Sequence, residues 1–415
     1  MSSRLNATQL NIVALLFGFS MLSYVDRTLM SIAGPGMIRE FGVSTPAMGS
    51  VYSAFILGYA LFMIPGGHLS DRIGARRTLM WMGLWSAVFT GLTVLGGRPG
   101  LGSLIGVIPA LFAIRFLLGV VTAPLYPACA RVNASWIPVV YHGRVQGLII
   151  AGSSLGAAIS PFVFTSIVER FHWRAPFLAA ALATAALAAI WYWYARDNPS
   201  PESRAEAPAA WAALFANRNL VLLTYAYGAL GYFQYIFFYW MYYYFGDVLH
   251  MSTADTTRYT AFLFLTEGAM MAFGGLASDQ LTRHLGPQFG RRVVPVAGLA
   301  LGAVFTYIGA ASAGLAAVVC LSLAFGLAGF CEGPFWAIVT EIGGQQVGGA
   351  GSILNTGAQI GGFFAPTVTP WIAAWAGWKW GLYAGCLIAL SGVIAVLLVR
   401  IRPEVPVQEA ASVTV

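Results

Sequence analysis

The chain has 415 residues, of which 58% are hydrophobic and only 9% are charged, and its formal net charge at pH 7 is +7. A typical soluble domain carries about 25% charged residues, so this composition excludes an ordinary soluble protein and predicts an integral membrane protein. The positive charge then reflects membrane topology and not nucleic-acid binding, because no soluble basic domain is left to hold a nucleic acid. Outside the apolar segments we find no motif typical of a metal site, a cofactor site or an enzyme, so none of these is expected.

Hydrophobic runs follow one another along the whole chain. A run of about 20 apolar residues crosses the roughly 30 Å apolar core of a bilayer as a helix. The predicted spans are 10–33, 46–66, 78–96, 104–129, 144–168, 174–195, 219–245, 258–278, 293–312, 315–340, 349–373 and 379–399. The sequence therefore predicts an all-α membrane protein with twelve transmembrane helices.

The basic residues indicate the orientation of these helices. Most arginines fall in the loops that lie on one side if both termini are cytoplasmic, for example Arg72, Arg76 and Arg77 between the second and third spans. Cytoplasmic loops carry an excess of Lys and Arg. We therefore predict cytoplasmic termini and a multi-pass protein of the inner (plasma) membrane.

The second half of the chain repeats the first. "GGHLSD" (66–71) recurs as "GGLASD" (274–279), and a pattern of two glycines and a proline also recurs, with Gly152, Gly156 and Pro161 matching Gly357, Gly361 and Pro366. Several matches at nearly one offset indicate an internal duplication. The predicted organisation is a six-helix half (1–195), a cytoplasmic linker (196–217), a second six-helix half (218–402) and a short tail (403–415).

Two loop and helix motifs resemble those of the major facilitator superfamily. "GGHLSDRIGARR" is similar to its loop signature between helices 2 and 3, and "RFLLG" (Arg115 to Gly119) is similar to its helix 4 pattern RxxxG. The resemblance implies two pseudo-symmetric halves that alternate access around a midplane site. It also implies gating or structural roles for the motif residues, which are Asp71, Arg72, Asp279, Arg115 and Gly119.

A narrower resemblance covers nearly the whole chain. "SYVDR", "TAPLYPA", "WRAPF", "YARDNP" and "EGPFWA" together resemble the anion:cation symporter family. That family includes proton-coupled carriers of sugar acids such as galactonate and hexuronates, of tartrate and of aromatic acids. The resemblance implies a carrier, expected to be monomeric, that imports an organic monocarboxylate with protons through the lipid bilayer.

The ionisable residues inside the predicted spans are candidates for function, because burying a charge in lipid is costly. Arg27 shares one face of helix 1 with Tyr24 at helical spacing, and its guanidinium suits a carboxylate; the alternative is an interhelical ion pair. Asp26 points about 100° away. It is predicted to titrate, since burial disfavours its charged form and a nearby cation favours it, or else to be a structural carboxylate. By resemblance, Asp26 matches a family acid linked to protonation and Arg27 a family arginine linked to the substrate.

Further polar residues complete the predicted site. Arg115 is expected either to have a structural or gating role or to contact substrate. Asn355 and Gln359 stand one turn apart on helix 11, where they could bind substrate hydroxyls or join helices. By resemblance, Tyr59 and Ser154 occupy positions of family substrate contacts. The aromatic run 225–245 is interpreted mainly as packing.

One position departs from the family pattern. Many proton-coupled members have a glutamate seven residues after the helix 4 arginine, where this chain has Thr122. Glu332 occupies the pseudo-symmetric position in helix 10, and Glu267, nearer the bilayer middle, is the slightly favoured replacement. Because this acid is missing, a uniporter or exchanger remains the alternative to proton symport. A non-transporting sensor and a drug exporter fit the polar helices less well.

Overall fold

The computed structural model describes residues 5–97, 100–138, 141–196 and 211–400, apart from the side chains at positions 71, 143, 287 and 345. Each predicted span coincides with a helix. The membrane helices are α1 (Ala7–Phe41), α2 (Thr45–Ile73), α3 (Ala75–Leu92), α4 (Val107–Trp136), α5 (His142–Phe171), α6 (Arg174–Tyr194), α7 (Arg218–Tyr243), α8 (Thr253–Gly286), α9 (Gln288–Ala311), α10 (Gly314–Gly343), α11 (Val347–Ala376) and α12 (Trp378–Leu398). The predicted all-α membrane fold is confirmed.

Eleven of these helices are both long and apolar enough to cross a membrane, counting only residues that the structure describes. The remaining one, α11, is 30 residues long, but its glycines, its two internal prolines and its polar residues lower its mean hydropathy. A helix that is buried between neighbours and lines a polar site needs less apolar surface than one facing lipid.

Local signals in the sequence explain where the first helices begin and end. Asn6 caps α1 through a capping box with Gln9, in which each side chain binds the other residue's backbone N–H. α1 ends at Gly42, whose φ of 61° is a left-handed conformation that glycine adopts without steric penalty. Ser44 then caps α2 by accepting a hydrogen bond from the Ala47 N–H at 3.3 Å. The connection between α1 and α2 is therefore very short.

Two long helical stretches each contain a break. α4 consists of Val107–Thr122 and Leu125–Trp136, separated by a turn at Pro124, whose ring nitrogen cannot donate to the helix ladder. α8 and α9 run on from one another and are separated at Gly286, where φ is 78°. Tyr126, a residue of the candidate site, lies two residues after Pro124, so the break in α4 is close to that site.

The glycines of the sequence repeat lie where helices cross at backbone distance. Each glycine faces a backbone carbonyl of the partner helix: Gly152 and Gly156 of α5 face Phe17 and Met21 of α1, and Gly357 and Gly361 of α11 face Thr224 and Gly228 of α7. A Cβ atom at any of these positions would collide with that carbonyl group. The repeat therefore preserves one crossing, α5 on α1, as α11 on α7.

Contacts between the two halves close the end of the bundle that is predicted to be external. Arg39 of α1 forms an ion pair with Asp247 after α7 at 2.8 Å. Deeper in the bundle, the Ser31 hydroxyl donates to the Tyr239 carbonyl at 3.1 Å, and the Ser53 hydroxyl donates to the Phe363 carbonyl at 2.6 Å. These contacts join the N-terminal and C-terminal halves at that end of the bundle.

The proposed boundaries between halves, linker and tail stay predictions. A short helix, Trp211–Ala216, lies within the predicted linker and immediately precedes α7. The remainder of the linker from 197 to 210 and the tail from 403 to 415 lie outside the described residues.

Candidate functional site

Arg27 lies in the middle of α1 with only 3% of its surface exposed. Its guanidinium carbon lies 4.7 Å from the ring centroids of Tyr24 and Phe55 and 4.6 Å from that of Tyr59. Such cation–π contacts contribute about 0.5–2 kcal/mol each, depending on how far the cation is removed from water. The rings therefore hold the cation in place, and the Tyr59 hydroxyl lies within hydrogen-bonding reach of it.

The donors of Arg27 are available for an anion. Nε and Nη2 are buried and have no hydrogen-bond partner among the described residues. The ion pairs found in the described part of the chain do not include Arg27, which argues against the alternative of an interhelical staple. A guanidinium with two adjacent free N–H groups is suited to bind a carboxylate bidentately.

Hydroxyl groups from both halves surround this cation. Tyr24, Tyr59, Tyr126 and Tyr235 all lie within electrostatic range of Arg27. The Tyr126 hydroxyl is in turn 3.2 Å from the hydroxyl of Ser20, which lies two helical turns before Arg27 on α1. The sequence analysis did not select Tyr126 or Tyr235. Tyr126 lies in the quoted motif "TAPLYPA", whereas Tyr235 was included in an aromatic run interpreted as packing.

Tyr59 is positioned by a close crossing of α2 and α4. A Cβ atom at Gly119 would collide with the Phe55 carbonyl oxygen and lie 2.8 Å from the Tyr59 backbone nitrogen. A Cβ atom at Gly58 would collide with the Phe116 carbonyl group in the same way. The predicted close approach at Gly119 therefore fixes the segment of α2 that carries Phe55 and Tyr59 against Arg27.

We expect Gly119→Ala to weaken both the fold and substrate binding. The methyl group would push α2 away from α4, and overpacking of this kind costs about 1–3 kcal/mol. Gly147→Ala is the matched control, since a Cβ atom there has no neighbour within 4 Å. Thermal unfolding and ligand titration of both purified variants measure the effect. Equal behaviour of the two variants would contradict a positioning role for Gly119.

Asp26 faces away from Arg27, as its position one residue earlier on the helix predicts. It is 2% exposed, and neither carboxylate oxygen has a hydrogen-bond partner among the described residues. The fully buried Arg115 donates from Nη2 to the backbone oxygen of Asp26 at 3.3 Å. Arg115 thus lies beside Asp26 and supplies its nearest positive charge from another helix.

A second acidic group lies in the C-terminal half. The Tyr227 hydroxyl donates to Glu332 Oε2 at 2.6 Å and accepts a hydrogen bond from the Trp336 indole N–H at 3.1 Å. Because an indole N–H can only donate, the Tyr227 oxygen accepts from Trp336 and its own proton is available for Glu332. Glu267 lies within electrostatic range of Glu332. α8 approaches α10 here closely enough for the backbone of Glu267 to touch Gly329.

The other predicted contact residues lie between the halves. Asn355 Nδ2 donates to the Met63 sulfur of α2 at 3.1 Å. Gln359 is 8% exposed, its Oε1 has no partner in the described structure, and its side chain lies close to Tyr235. Ser154 of α5 packs against Gly268 of α8, next to Glu267. Both of the interpretations offered for Asn355 and Gln359 therefore stay open.

Arg115 and Gly119 lie at this site, whereas the other residues predicted to have a gating role lie at the opposite end from the Arg39–Asp247 ion pair. Asp279 forms an ion pair with Arg291 at 2.5 Å, and Arg291 also binds Glu341 at 2.8 Å, so this network joins α8, α9 and α10. Arg72 is exposed. The side chain of Asp71 lies outside the described part of the structure.

Thr122 does not take over the role of the missing glutamate. Its hydroxyl donates back to the carbonyl groups of Leu118 and Gly119, at 2.8 and 3.1 Å, and so is satisfied within its own helix. A threonine hydroxyl does not ionise at physiological pH, so it cannot carry a proton as a glutamate can. Any second proton carrier has to be sought elsewhere. Glu332 lies within electrostatic range of Tyr235 at the site, and Glu267 lies within range of Glu332.

The whole chain can be compared with known proteins at this point. Two overlapping matches to the Major Facilitator Superfamily cover residues 16–346 and 288–414. The chain belongs to this superfamily. Its members among the solved structures share the fold: a bacterial homologue of the human lysosomal transporter Spinster has a TM-score of 0.79 at 15% identity, with 95% of this chain and 97% of that chain covered. The Escherichia coli xylose transporter XylE gives a TM-score of 0.75 at 15% identity, with 96% and 97% covered.

Several similar proteins are named as organic-acid carriers. The hexuronate transporter of Bacillus subtilis (strain 168) is 29% identical over 414 residues, covering 94% of this chain and 95% of the relative. A probable L-galactonate transporter of Escherichia coli (strain K12) is 25% identical, with 96% and 91% covered. A probable sulfoacetate transporter of Cupriavidus necator is 27% identical, with 84% and 83% covered. These relatives confirm the resemblance to the anion:cation symporter family, and the protein is a multi-pass membrane protein of transporter type.

Proposed function

We propose that this transporter imports an organic monocarboxylate, a sugar acid or a related hydroxy or aromatic acid, together with protons. The observation that carries the proposal is the buried guanidinium of Arg27, whose Nε and Nη2 lack partners while three aromatic rings hold it. An unpaired buried cation is costly unless an anion joins it. The organic acids carried by the relatives supply a carboxylate or a sulfonate.

The remaining polar groups suit the rest of such a substrate. The tyrosine hydroxyls and the free Oε1 of Gln359 can exchange hydrogen bonds with hydroxyl groups, and the tyrosine rings can stack on a sugar or an aromatic ring. Arg27 lies on the N-terminal half and Gln359 on the C-terminal half. A substrate bound between them would contact both halves, as alternating access requires.

We assign proton binding to carboxyl groups that do not form an ion pair with Arg27 in the described structure. Asp26 has no hydrogen-bond partner for its carboxylate in the described structure, and Glu267 and Glu332 lie close together. These carboxyl groups are therefore the proposed sites at which protons bind and leave during transport. The alternative, a uniporter or exchanger without proton coupling, is supported by Thr122, which leaves helix 4 without its acid.

Uptake into proteoliposomes tests the proposal. With the membrane potential held at zero, a labelled hexuronate, galactonate or sulfoacetate should accumulate when the compartment supplying it is more acidic, and should only equilibrate without a gradient. Asp26→Asn, which mimics the protonated carboxyl group, should still exchange substrate but lose accumulation that depends on its proton. Transport of these acids that ignores the gradient would favour the uniporter. Absence of binding for all organic acids would contradict the substrate class.

Location and assembly belong to the same proposal. We infer an inner-membrane protein that works as a monomer, since each half contributes to a single central site. The bacterial origin of the relatives supports this location. Membrane fractionation and the mass of the purified protein in detergent or nanodiscs test both points.

A further inference from the structure

A groove between α2, α3 and α4 lies on the side of the N-terminal half that faces lipid. Its volume is about 320 Å³. α2 contributes Pro65 and Leu69 to its walls, α3 contributes Trp81 and Trp85, and α4 contributes Pro124. Leu69, Trp81 and Trp85 are large apolar residues, yet they are 44%, 50% and 47% exposed. This feature, which we call the α2–α4 groove, is therefore open to the surrounding lipid.

The walls of the α2–α4 groove suit an apolar chain. Among the described residues that line it, Thr78 carries the only hydroxyl group, and this hydroxyl donates to the Gly74 carbonyl at 2.8 Å. A polar ligand inside the groove would lose its hydrogen bonds to water and gain few in return. An acyl chain has no such bonds to lose, and it gains close packing against the two tryptophan rings.

The depth of the groove matches one leaflet of a bilayer. α3 begins at Ala75, at the end of the bundle that is predicted to be cytoplasmic, and Trp85 lies ten residues further, which is about 15 Å along the helix. One leaflet supplies about half of the roughly 30 Å apolar core. The groove therefore extends from the cytoplasmic surface to about the middle of the bilayer, as an acyl chain of that leaflet does.

Two arginines lie at the cytoplasmic end of the groove. Arg72 is in the last turn of α2, three residues after Leu69, and Arg77 is in the first turn of α3, four residues before Trp81 and eight before Trp85. Residues at these spacings share one face of a helix. Both arginines are exposed, and the ion pairs of the described residues include neither of them. We call them the groove arginines.

The equivalent positions in the second half of the chain carry no charge. Gln280 follows the repeated motif "GGLASD" where the first half has the first groove arginine. Arg76 and Arg292 correspond to one another, because each donates to a carbonyl group near the end of the sixth helix of its half, at 2.6 and 2.8 Å. Val293 follows Arg292, whereas the second groove arginine follows Arg76. The fold itself therefore does not require two positive charges here.

We infer that the α2–α4 groove binds an anionic phospholipid of the cytoplasmic leaflet, with an acyl chain in the groove and the phosphate at the groove arginines. A guanidinium binds a phosphate through paired, charge-assisted hydrogen bonds. The cytoplasmic leaflet supplies anionic lipids, which basic residues close to the membrane surface attract. The inference does not depend on which acid the protein transports.

A bound chain also supports the break in α4. Pro124 lies at the wall of the groove, and a Cβ atom at Gly66 of α2 would lie 2.8 Å from its ring. α2 thus packs directly on the break, and Tyr126 of the candidate site follows two residues later. A chain that fills the groove adds contacts to this junction. We therefore expect the lipid to raise the thermal stability of the protein as a ligand does.

Titrating the purified full-length protein with two phospholipids tests the inference. Phosphatidylglycerol and phosphatidylcholine with identical chains differ in charge, and phosphatidylglycerol should raise the unfolding temperature at lower concentration. An arginine near an anionic surface contributes a factor of about five to binding. Arg72→Gln and Arg77→Gln should each weaken the effect of phosphatidylglycerol about fivefold and leave that of phosphatidylcholine unchanged. Arg283→Gln is the control, since it removes an exposed arginine between α8 and α9 on the same side.

Fluorescence locates the bound chain. The emission that is lost in the double variant Trp81→Phe/Trp85→Phe comes from the groove, and phosphatidylglycerol with brominated chains should quench it at lower concentration than brominated phosphatidylcholine. Equal quenching by the two lipids, or groove-arginine variants that both behave like Arg283→Gln, would overturn the inference. Soluble glycerol phosphate should not displace the lipid. If it did so at matching concentration, the arginines would form a site for free phosphate and the lipid assignment would be wrong.

Discussion

Replacing Arg27 with alanine is expected to abolish substrate binding. Nε and Nη2 of Arg27 lack hydrogen-bond partners among the described residues and are surrounded by the tyrosines of the site, so its removal takes away both hydrogen bonds and the charge that faces the anion. Truncating one partner of a buried, hydrogen-bonded charge pair costs at least about 2 kcal/mol, which raises the Kd roughly 30-fold or more. Titration of the purified variant with the acid that the parent binds best measures this change.

Arg27→Lys separates charge from geometry. The ammonium keeps the positive charge but is a compact point charge that cannot form two parallel bonds to a carboxylate. We expect an affinity between those of the parent and of Arg27→Ala. Arg115→Lys serves as the comparison, because Arg115 donates to a backbone carbonyl next to the site and does not face the same tyrosines. Near-normal affinity in Arg27→Ala would remove this arginine from the site.

The membrane helices could be predicted from the sequence because lipid imposes a simple rule on each one separately. Apolar length fixes a span, and all twelve runs coincide with helices. The repeated glycines were equally informative, since a residue without a Cβ atom is needed wherever two backbones touch, as at Gly156 and Gly361. The direction of Asp26 away from Arg27 followed from helix geometry alone.

The composition of the site was harder to predict, because it depends on contacts between distant helices. Tyr235 belongs to a run of aromatic residues that mostly pack, and only the placement of α7 against α1 shows which ring approaches Arg27. Glu267 and Glu332 were treated as alternatives, whereas the approach of α8 to α10 at Gly329 brings them together.

The proximity of Glu267 and Glu332 changes what a second proton carrier should look like. Two carboxyl groups that lie this close are coupled and can bind one proton between them, so they act as a single proton site. Tyr227 donates a hydrogen bond to Glu332, while the structure shows no such donor for Glu267 among the described hydrogen bonds. The shared proton therefore belongs mainly on Glu267.

We expect Glu267→Gln to remove one of two coupled protons. With the membrane potential held at zero, each proton carried across a gradient of one pH unit supports about tenfold accumulation, because a factor of ten corresponds to about 1.4 kcal/mol. A parent that uses both Asp26 and the glutamate pair should reach roughly 100-fold accumulation, and Glu267→Gln should reach about tenfold. Substrate exchange without a gradient should be retained, since glutamine mimics the protonated acid.

Glu332→Gln and Tyr227→Phe identify which member of the pair carries the proton. If Glu267 is the carrier, Tyr227→Phe should leave the limiting accumulation unchanged, because it only removes the donor that holds Glu332. Glu332→Gln removes the repulsion that keeps a proton on Glu267, so its accumulation should fall as far as that of Glu267→Gln, and the double variant should fall no further than either single one. Full accumulation in both single variants would exclude the pair, and the parent would then be limited to the tenfold ratio that Asp26 alone supports.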